Sequence, residues 1–438
     1  MNSIGPNALI AAIVLPFFYA AVYLDYAISR AQGRSDYELN DTVTSLGVSI
    51  MMSAFGIVTI VLRIAIYTLV YTQVALGDWS MANPWTWVIG LLLYDFTYYW
   101  QHRMGHEWNL LWSSHVVHHS SDRFNLATAL RVPSASMHLW TWVFALPLAF
   151  VGIPPAVYAV ASLLNLLYQF WIHTERIGSL GWFDRWFGSP SNHRVHHGVN
   201  DRYLDKNYGG ILMIWDRWFG TFEDERSDDP VRYGTRAPVS SWNPLWINFD
   251  TFCALCKDAW HAHSWRDKLS IWWRAPGWRP ADVAAIDPKP SFDLRQHRHF
   301  QTSTPAALGY YALLQTALLP AQLVHLIAIA GWLPFWPELA YAAYLGSATV
   351  TLGLLLGSNP RWRRVGLLLE LSRLMLSVAI ALGGTWFGQL LMPGWAVWGI
   401  IMLAVASGVA VVLLAARLGF DGDQADVRDS SVAPAEPR

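Results

Sequence analysis

The stretch HRMGHEWNLLWSSHVVHHSS, residues 102–121, places five histidines within eighteen residues of a chain that contains fifteen histidines in all. A second dense group, NHRVHH, occupies residues 192–197, and a single histidine stands between the two groups in WIHTE, residues 171–175. Histidines within the dense groups are three or four residues apart, and at that spacing side chains share one face of a helix. Each dense group is therefore predicted to present two or three imidazoles from one face.

The rest of the chain is rich in apolar residues and poor in charge. Of its 438 residues, 54% are hydrophobic and 14% are charged, whereas soluble proteins carry about 25% charged residues. Charge is costly in hydrocarbon, and the 26 tryptophans suit the boundary between membrane and water. The composition predicts an integral membrane protein. A net charge of −1 does not favour nucleic-acid binding, and two cysteines exclude a disulfide framework.

Nine apolar segments are candidates for crossing the membrane, which takes about 20 apolar residues in a helix. The first lacks the basic region and cleavage site of a secretory signal, so we interpret it as a retained helix. The fourth and fifth are short arms of a hairpin that turns at Gly152–Pro155, and they are expected to enter the membrane obliquely or in part. The predicted spans are Ala8–Ala27, Val43–Tyr71, Pro84–Trp100, Leu139–Val151, Pro155–Trp171, Ala306–Leu333, Trp336–Leu356, Val365–Phe387 and Trp395–Leu414.

Basic residues in short loops mark the cytosolic side of a membrane protein. In this chain they occur in alternate loops, and the loops on the opposite side contain no Lys or Arg. Nine crossings bring every basic cluster and both dense histidine groups to the cytosolic face, with the N-terminus outside and the C-terminus inside. The arginines concerned are Arg30, Arg34, Arg103, Arg123, Arg131, Arg361, Arg363, Arg364 and Arg417.

Nine of the ten histidines between residues 102 and 197 are predicted metal ligands. Imidazole binds iron, copper, zinc and nickel well. Eight or nine such nitrogens exceed what one metal takes, so two metals are implied. For His173 a buried structural histidine is the alternative interpretation, and His138 is interpreted as structural. The predicted ligands are His102, His106, His115, His118, His119, His173, His193, His196 and His197.

Other kinds of histidine site do not fit the spacing. A zincin needs H-E-x-x-H, but His106-Glu107 is not followed by the second histidine. A ferritin-like di-iron site needs paired glutamates, which are missing, and haem proteins use one or two histidine pairs on facing helices. A pH sensor or a solvated polar face would not require two H-x-x-H-H repeats in addition to an H-x-x-x-H.

The segments HRMGH (102–106), HVVHHSS (115–121) and NHRVHH (192–197) resemble the histidine motifs of the fatty acid hydroxylase/sterol desaturase superfamily of membrane di-iron oxygenases. Across about Leu92–Glu225 the sequence is more similar still to the alkylglycerol monooxygenase branch. That similarity is carried by NLLWSSHVVHHSSDRFNLATALR, YQFWIHTE, NHRVHHGVNDRYLDKNYGG and WDRWFGTFE. In the last third of the chain the resemblance consists of apolar spans alone.

The resemblance implies an all-α fold, a polytopic membrane helical bundle with a cytosolic histidine-rich cap that holds two iron ions. It implies O2-dependent oxidation of a lipid C–H bond; for the alkylglycerol monooxygenase branch this is hydroxylation of the carbon next to an ether oxygen, with release of an aldehyde and tetrahydrobiopterin as reductant. Iron is redox-active and zinc is not, so zinc would leave such a site inert. The chain has no G-x-G-x-x-G motif after a strand and no fused haem-binding domain, so electrons are expected from an external donor.

The same reasoning divides the chain into five regions. The histidine motifs define a di-iron catalytic domain of the fatty acid hydroxylase type, and apolar helices are expected on both sides of it. The tail is acidic and rich in Pro, Ala and Ser, which predicts disorder. The regions are 1–80 (N-terminal transmembrane helices), 81–225 (catalytic domain), 226–303 (cytosolic amphipathic connecting region), 304–417 (C-terminal transmembrane helices) and 418–438 (tail).

Four acids near the histidines are candidates for orienting the imidazoles through the second ring nitrogen. They are Glu107, Asp122, Glu175 and Asp201, and each also suits a solvated or salt-bridged position. Glu107 directly follows a predicted ligand, and an acid is the natural partner of an amine-bearing pterin or a ligating imidazole. It is therefore the predicted catalytic residue.

Two other functions remain open from the sequence. The first is a hydroxylase or desaturase acting on a sterol or a fatty acyl chain, with electrons from a ferredoxin or a cytochrome. The second is a non-catalytic membrane protein that binds or transports a metal. Transporters usually place their sites at the midplane of broken spans, whereas here the spans hold only scattered charges, such as Arg63, Asp95 and Glu370, and the histidines lie outside the spans.

Three weaker signals accompany the main motifs. Cys253-x2-Cys256-x4-His261-x-His263 has a zinc-like composition, but its spacing matches no standard finger, and packing is the favoured interpretation. The pentapeptide DRWFG occurs at residues 184–188 and 216–220 and suits anchoring at a membrane interface. His297 and His299 lie among basic residues before a predicted span and are expected to contact lipid headgroups.

Overall fold

The computed structural model describes residues 6–132, 141–330, 333–383 and 394–417. Throughout these ranges the regular structure is helical, apart from one isolated antiparallel bridge between Phe187 and Leu212. The predicted all-α class is therefore confirmed. His138 and the first residues of the predicted span Leu139–Val151 lie outside the described ranges, as does the tail.

The first part of the chain forms two long helices, α1 (Pro6–Ala31) and α2 (Leu39–Val74), followed by α3 (Pro84–Glu107). Helix α3 begins where the side chain of Asn83 accepts a hydrogen bond from the amide of Trp85, a standard N-cap with proline in the first turn. It ends at Trp108, whose extended backbone turns the chain directly into α4 (Asn109–His119). Helices α3 and α4 carry the first histidine stretch and pack against each other.

The middle of the chain consists of short helices joined by ordered loops. The predicted hairpin is present: a 3₁₀ turn and α6 (Leu146–Val151) lead through Gly152 into α7 (Pro155–Trp171). Gly152 has φ +102°, and a Cβ there would lie 2.2 Å from the carbonyl oxygen of Gly77, so only glycine fits this turn. The remaining helices of this part are α5 (Leu126–Ala129), α8 (Pro190–His196), α9 (Ile214–Phe219), α10 (Pro244–His261), α11 (Trp265–Ser270) and α12 (Ala281–Ile286).

Four long helices close the described chain, α13 (Ala306–Ile329), α14 (Phe335–Leu356), α15 (Pro360–Gly383) and α16 (Gly394–Arg417). They form the largest apolar core together with α2. Inside this core the carboxylate of Glu370 is fully buried and accepts hydrogen bonds from Arg373, Tyr311 and Thr351. Arg373 also donates to Gln315, which in turn donates to Ser407 on the last helix.

Four helices of the described chain are long and apolar enough to cross a membrane: Ala306–Ile329, Phe335–Leu356, Pro360–Leu382 and Val397–Arg417. Helix α2 is a fifth if its two halves, which meet at 46°, count as one span. This is fewer than the nine crossings expected from the sequence. The hairpin helices α6 and α7 have 6 and 17 residues, short of the roughly 20 that a span requires, and the second half of α3 is polar.

Contacts between distant segments bring the basic loops to one end of the bundle. Arg123 donates to the carbonyl of Ser35 just before α2, and Arg131 forms a 2.8 Å ion pair with Asp41 at the start of α2. Arg363, at the start of α15, donates to the carbonyl of Ser303. The histidine motifs lie at this same end. That it faces the cytosol stays a prediction.

Candidate metal centre

The nine histidines that the sequence singles out converge into two adjacent groups. Within each group the ring nitrogens of all members lie within 4.8 Å of one another. In the part of the chain that the structure describes, no other set of His, Cys, Asp or Glu side chains is arranged to hold a metal in this way. The first group contains His102, His106, His115, His119 and His196, and the second contains His118, His173, His193 and His197.

The two H-x-x-H-H motifs are divided between the groups. On α4, His115 and His119 are one turn apart and point into the first group, whereas His118 points into the second. Successive helical residues are about 100° apart around the axis, so the neighbours His118 and His119 necessarily face different directions. Helix α8 divides in the same way, with His196 in the first group and His193 in the second.

Helix geometry also explains the other members. His102 and His106 are one turn apart at the C-terminal end of α3, where Gly105 leaves room for the ring of His115. His173 follows the end of α7 and its amide donates to the carbonyl of Phe170. Only 2% of His173 is exposed, and its ring nitrogen lies 2.9 Å from that of His193. The structure therefore brings this isolated histidine into the second group.

Backbone carbonyls orient four of the imidazoles. The Nδ1 atoms of His102, His173 and His196 lie 2.8, 2.7 and 3.0 Å from the carbonyl oxygens of Tyr208, Gln169 and Lys206. His118 Nδ1 lies 3.3 Å from the carbonyl oxygen of Arg131. A carbonyl oxygen only accepts, so the proton of each neutral ring is on Nδ1 and the lone pair is on Nε2. All four rings are thus held in the tautomer that ligates through Nε2.

In this tautomer the Nε2 atoms carry no proton, so two of them that approach each other cannot form a hydrogen bond. His118 Nε2 and His173 Nε2 are 3.2 Å apart, and both carry lone pairs. His102 Nε2 lies 3.0 Å from His115 Nε2. Two ligands at right angles on a metal with bonds of about 2.1 Å are about 3.0 Å apart, so these separations fit a coordinated cation. The same convergence without a cation would place lone pairs against each other.

Two further nitrogens of the first group have no hydrogen-bond partner although they are buried, namely His106 Nε2 and His196 Nε2. A buried polar atom without a partner costs free energy, and a metal ion satisfies it. The donor set could therefore hold two metals, one among five imidazoles and one among four.

Burial lowers the pKa of eight of these imidazoles, because it penalises the charged form, and neighbouring histidines lower it further. For His118 the pKa falls from 6.5 to about 4. The neutral imidazole is the form that ligates a metal, so the site is in the ligating state at neutral pH. A pKa well below the ordinary value applies to His102, His115, His119, His173, His193, His196 and His197.

None of the four acids proposed from the sequence contacts a predicted ligand. Glu107 pairs with Arg103 at 2.8 Å and lies outside both groups, and its catalytic role stays a prediction. Asp122 accepts from the amide of Phe300, Glu175 from the hydroxyl of Tyr233, and Asp201 from Arg236.

Sequence reasoning missed a different acid, Asp205, whose carboxylate lies 3.4 Å from His106 Nδ1. Asp205 follows His197 by only eight residues. Because it lies in a loop, no helical periodicity relates it to the histidines, and the sequence does not predict the contact. A second group that was missed is Asp216, the first residue of the second DRWFG. Its buried carboxylate accepts from the amides of Tyr208 and Gly209, and Tyr208 carries the carbonyl that orients His102.

The weaker sequence signals have different outcomes. Cys253 and Cys256 are exposed on α10 and belong to neither metal group, which does not fit the packing role expected for them. In the DRWFG repeats the aspartates are buried, whereas the arginines and tryptophans are exposed. The anchoring prediction therefore concerns the Arg and Trp side chains. His297 Nε2 lies 2.8 Å from the carbonyl oxygen of Tyr233. The headgroup contacts expected for His297 and His299 stay predictions.

An apolar cavity of about 330 Å³ opens onto the histidines. It runs between α1, α2, α3 and α7, and three of the predicted ligands, His115, His118 and His173, form one wall. Ligand sites are typically apolar clefts of about 300–1,000 Å³ with a few polar groups. This one suits a single hydrocarbon chain. The apolar side chains along it include Leu15, Phe18, Met52, Leu166 and Phe170.

The amino-acid sequence of the chain is similar to that of a known protein family. Residues 87–221 match the family model described as fatty acid hydroxylase, and they span both dense histidine motifs and the hairpin. The alkylglycerol monooxygenase of Homo sapiens is 34% identical across 79% of this chain and 77% of its own length. That of Danio rerio is 36% identical across 68% of this chain and 67% of its own.

More distant relatives act on other lipids, as their names record. An ornithine lipid hydroxylase of Rhizobium tropici is 32% identical across 37% of this chain and 49% of its own length. No solved structure matches the chain significantly. The similarity to the alkylglycerol monooxygenases thus extends well beyond the histidine motifs.

Proposed function

Because the chain belongs to the fatty acid hydroxylase family, we propose that it is a di-iron enzyme that hydroxylates the carbon next to the ether oxygen of an alkylglycerol-type lipid. The resulting hemiacetal then splits: its C–O bond to the glycerol oxygen breaks, that oxygen takes up the hydroxyl proton, and an aldehyde and a glycerol are released. The protein is an oxygen-dependent lipid monooxygenase or hydroxylase of a membrane. The choice of ether lipid rests on identities of 34 and 36% to alkylglycerol monooxygenases over about two thirds or more of the chain.

The observation that carries the proposal is the convergence of nine imidazoles beside an apolar cavity. The group of five and the group of four would each hold one iron. Iron supplies redox chemistry with O2, which zinc in the same positions would not. The nine residues would be the ligands, and His173 would be one of them because its Nε2 faces His118 and His193.

The chain's own residues prepare the site in three ways. Backbone carbonyls hold four rings in the ligating tautomer, and burial keeps them neutral. The cavity walls exclude water from the alkyl chain. The same walls lead the chain to His115, His118 and His173, so that the carbon to be oxidised lies beside the metal centre.

The partners follow from the same proposal. The substrate is a lipid that enters from the bilayer, O2 is the second substrate, and an external donor supplies electrons. Tetrahydrobiopterin is the reductant proposed from the similarity to alkylglycerol monooxygenases, with a ferredoxin or cytochrome as the alternative. The active site is proposed to face the cytosol, because the basic loops gather at the histidine end.

The test uses the purified full-length protein and two histidine variants. We expect about two irons per chain and oxidation of an alkylglycerol in the presence of O2 and tetrahydrobiopterin. His118→Ala should lose both iron and activity, whereas His261→Ala, at an exposed histidine on α10, should lose neither.

Three results would contradict the proposal, and each points elsewhere. Oxidation of a fatty acid or sterol but not of an ether lipid would favour the acyl or sterol hydroxylase. Iron binding without oxidation of any lipid would favour a metal-binding protein. Zinc in place of iron, with activity retained in His118→Ala, would contradict the metal centre itself.

A further inference from the structure

A polar neck adjoins the apolar cavity on the side of α2. It is a space of about 90 Å³ whose lining includes the side chains of Arg63, Tyr94, Thr97, Tyr98 and Gln101. Tyr94, Tyr98, Val132 and Ser162 line both the neck and the cavity, so the two spaces meet. The neck is also close to the metal centre, because the ring of Tyr98 lies 5.4 Å from that of His102.

Arg63 is the only charged residue between Gly56 and Val74 on α2. An arginine within an apolar helix is costly and is usually paired with an acid or used by a ligand. In the described ranges, no hydrogen bond or ion pair involves Arg63, and its Nε is buried without a partner. Arg373, an arginine within the apolar helix α15, has Glu370 at 2.5 Å. Arg63 thus differs from it in lacking a protein counter-ion.

From this unpaired guanidinium we infer that the neck binds the anionic end of a single-chain lipid, a phosphate or a carboxylate. Arginine presents several N–H donors in a planar fork that matches such oxygen groups. The hydroxyl of Tyr94 and the amide of Gln101 add donors around it. The hydrocarbon chain then lies in the adjoining cavity, past His115 and His118.

This inference rests on the proposed function, because it takes the apolar cavity as the site of the lipid substrate. It adds that the headgroup charge of the lipid determines which substrates bind. A neutral ether lipid leaves the half-buried Arg63 without a counter-ion, whereas an ether glycerol phosphate supplies one. Arg63 therefore selects the anionic lipid among lipids with the same chain. A free fatty acid supplies the same kind of group, and the experiment distinguishes the two sources.

The experiment measures binding rather than turnover. Isothermal titration calorimetry without reductant compares three probes of equal chain length, an ether glycerol phosphate, a neutral alkylglycerol and a fatty acid. The wild-type protein should bind an anionic probe about tenfold or more tightly than the neutral one, since a hydrogen bond to a charged group is worth that much. Arg63→Gln should reduce the ratio to near one, and Arg63→Lys should preserve most of it.

Two controls make the result specific. Binding of the neutral probe should stay the same in Arg63→Gln, which shows that the cavity is intact. Arg361→Gln, at an exposed arginine on α15, should leave all three affinities unchanged. A ratio that is unaffected by Arg63→Gln would overturn the inference for both anions. Arg63 dependence for the fatty acid alone would identify a carboxylate, and for the ether phosphate alone a phosphate.

Failure of the inference can be told from failure of the proposed function. If the protein oxidises ether lipids but Arg63→Gln does not alter the ratio, the function stands and the anion site is wrong. If no ether lipid is oxidised while the preference still depends on Arg63, the anion site stands and the ether-lipid function is wrong.

Discussion

In the C-terminal helices the buried polar side chains form hydrogen bonds with one another. At the histidine centre the ring nitrogens face one another with lone pairs and no proton between them. Glu370 accepts from three side chains, and Arg373 donates to both Glu370 and Gln315. At the histidine centre, His118 and His173 bring two lone pairs within 3.2 Å. A buried network that satisfies itself indicates a scaffold, and one that requires an outside atom indicates a site.

The largest effects are expected when one imidazole is removed from each histidine group. His102→Ala affects the group of five and His173→Ala the group of four. Each should lower lipid oxidation by more than about a hundredfold, because loss of a ligand exceeds the loss from an outer partner. Iron analysis should show about one iron fewer in each variant. Full iron in either one would remove that histidine from the ligand set.

A second test breaks the self-satisfied network. Glu370→Gln leaves Arg373 buried without its counter-ion, which should lower the free energy of unfolding by about 3–5 kcal/mol. Iron per folded protein should stay the same. The double variant Glu370→Leu/Arg373→Met removes both charges and should recover most of the loss in a denaturation experiment. A large fall in iron content in Glu370→Gln would mean that this network also serves the metal centre.

Acid should act on the histidine end alone. The buried imidazoles have a lower pKa in the folded protein than in the unfolded chain, so the folded state binds fewer protons. The stability that this contributes is present above about pH 6.5 and is lost as the pH falls towards about 4, the value to which the pKa of His118 is lowered. Iron release and unfolding should follow that range, and retention of iron at pH 4 would contradict it.

The smallest effect is expected from an acid beside the histidines, and it is compared with that of a nearby acid that contacts no histidine. Asp205→Asn removes the carboxylate 3.4 Å from His106 Nδ1 and should lower activity by about tenfold. Asp201→Asn is the matched control, because Asp201 binds Arg236 and no histidine. A larger loss of activity in Asp201→Asn than in Asp205→Asn would mean that Asp201, one of the four acids predicted from the sequence, is the functional one.

Sequence spacing was sufficient to predict the helical class and to select the nine histidines that converge in the structure, because histidine spacing and helix periodicity are both local features of the sequence. That these histidines bind metal stays a prediction. The division into five and four was not accessible. Whether His118 or His119 faces a given group depends on how α4 is rotated against α3 and α8, which only packing determines. The carbonyls of Arg131 and Lys206 were also invisible, since any residue carries a carbonyl.

The described helices include fewer candidate membrane spans than the sequence suggests. Apolar runs such as Pro155–Trp171 are long enough to suggest spans, yet in this fold one face of α7 lines the cavity beside the histidines. Apolar residues that serve a lipid substrate and apolar residues that serve the bilayer have the same composition. A hydropathy pattern alone cannot separate them.

The sharing of α4 and α8 between the two groups has a consequence for how the centre is assembled. Each of these helices contributes to both groups, so the first iron to bind fixes two of the segments that the second requires. Metal loading should therefore be cooperative: during titration with ferrous iron, chains with a single iron should be scarce beside empty and fully loaded ones.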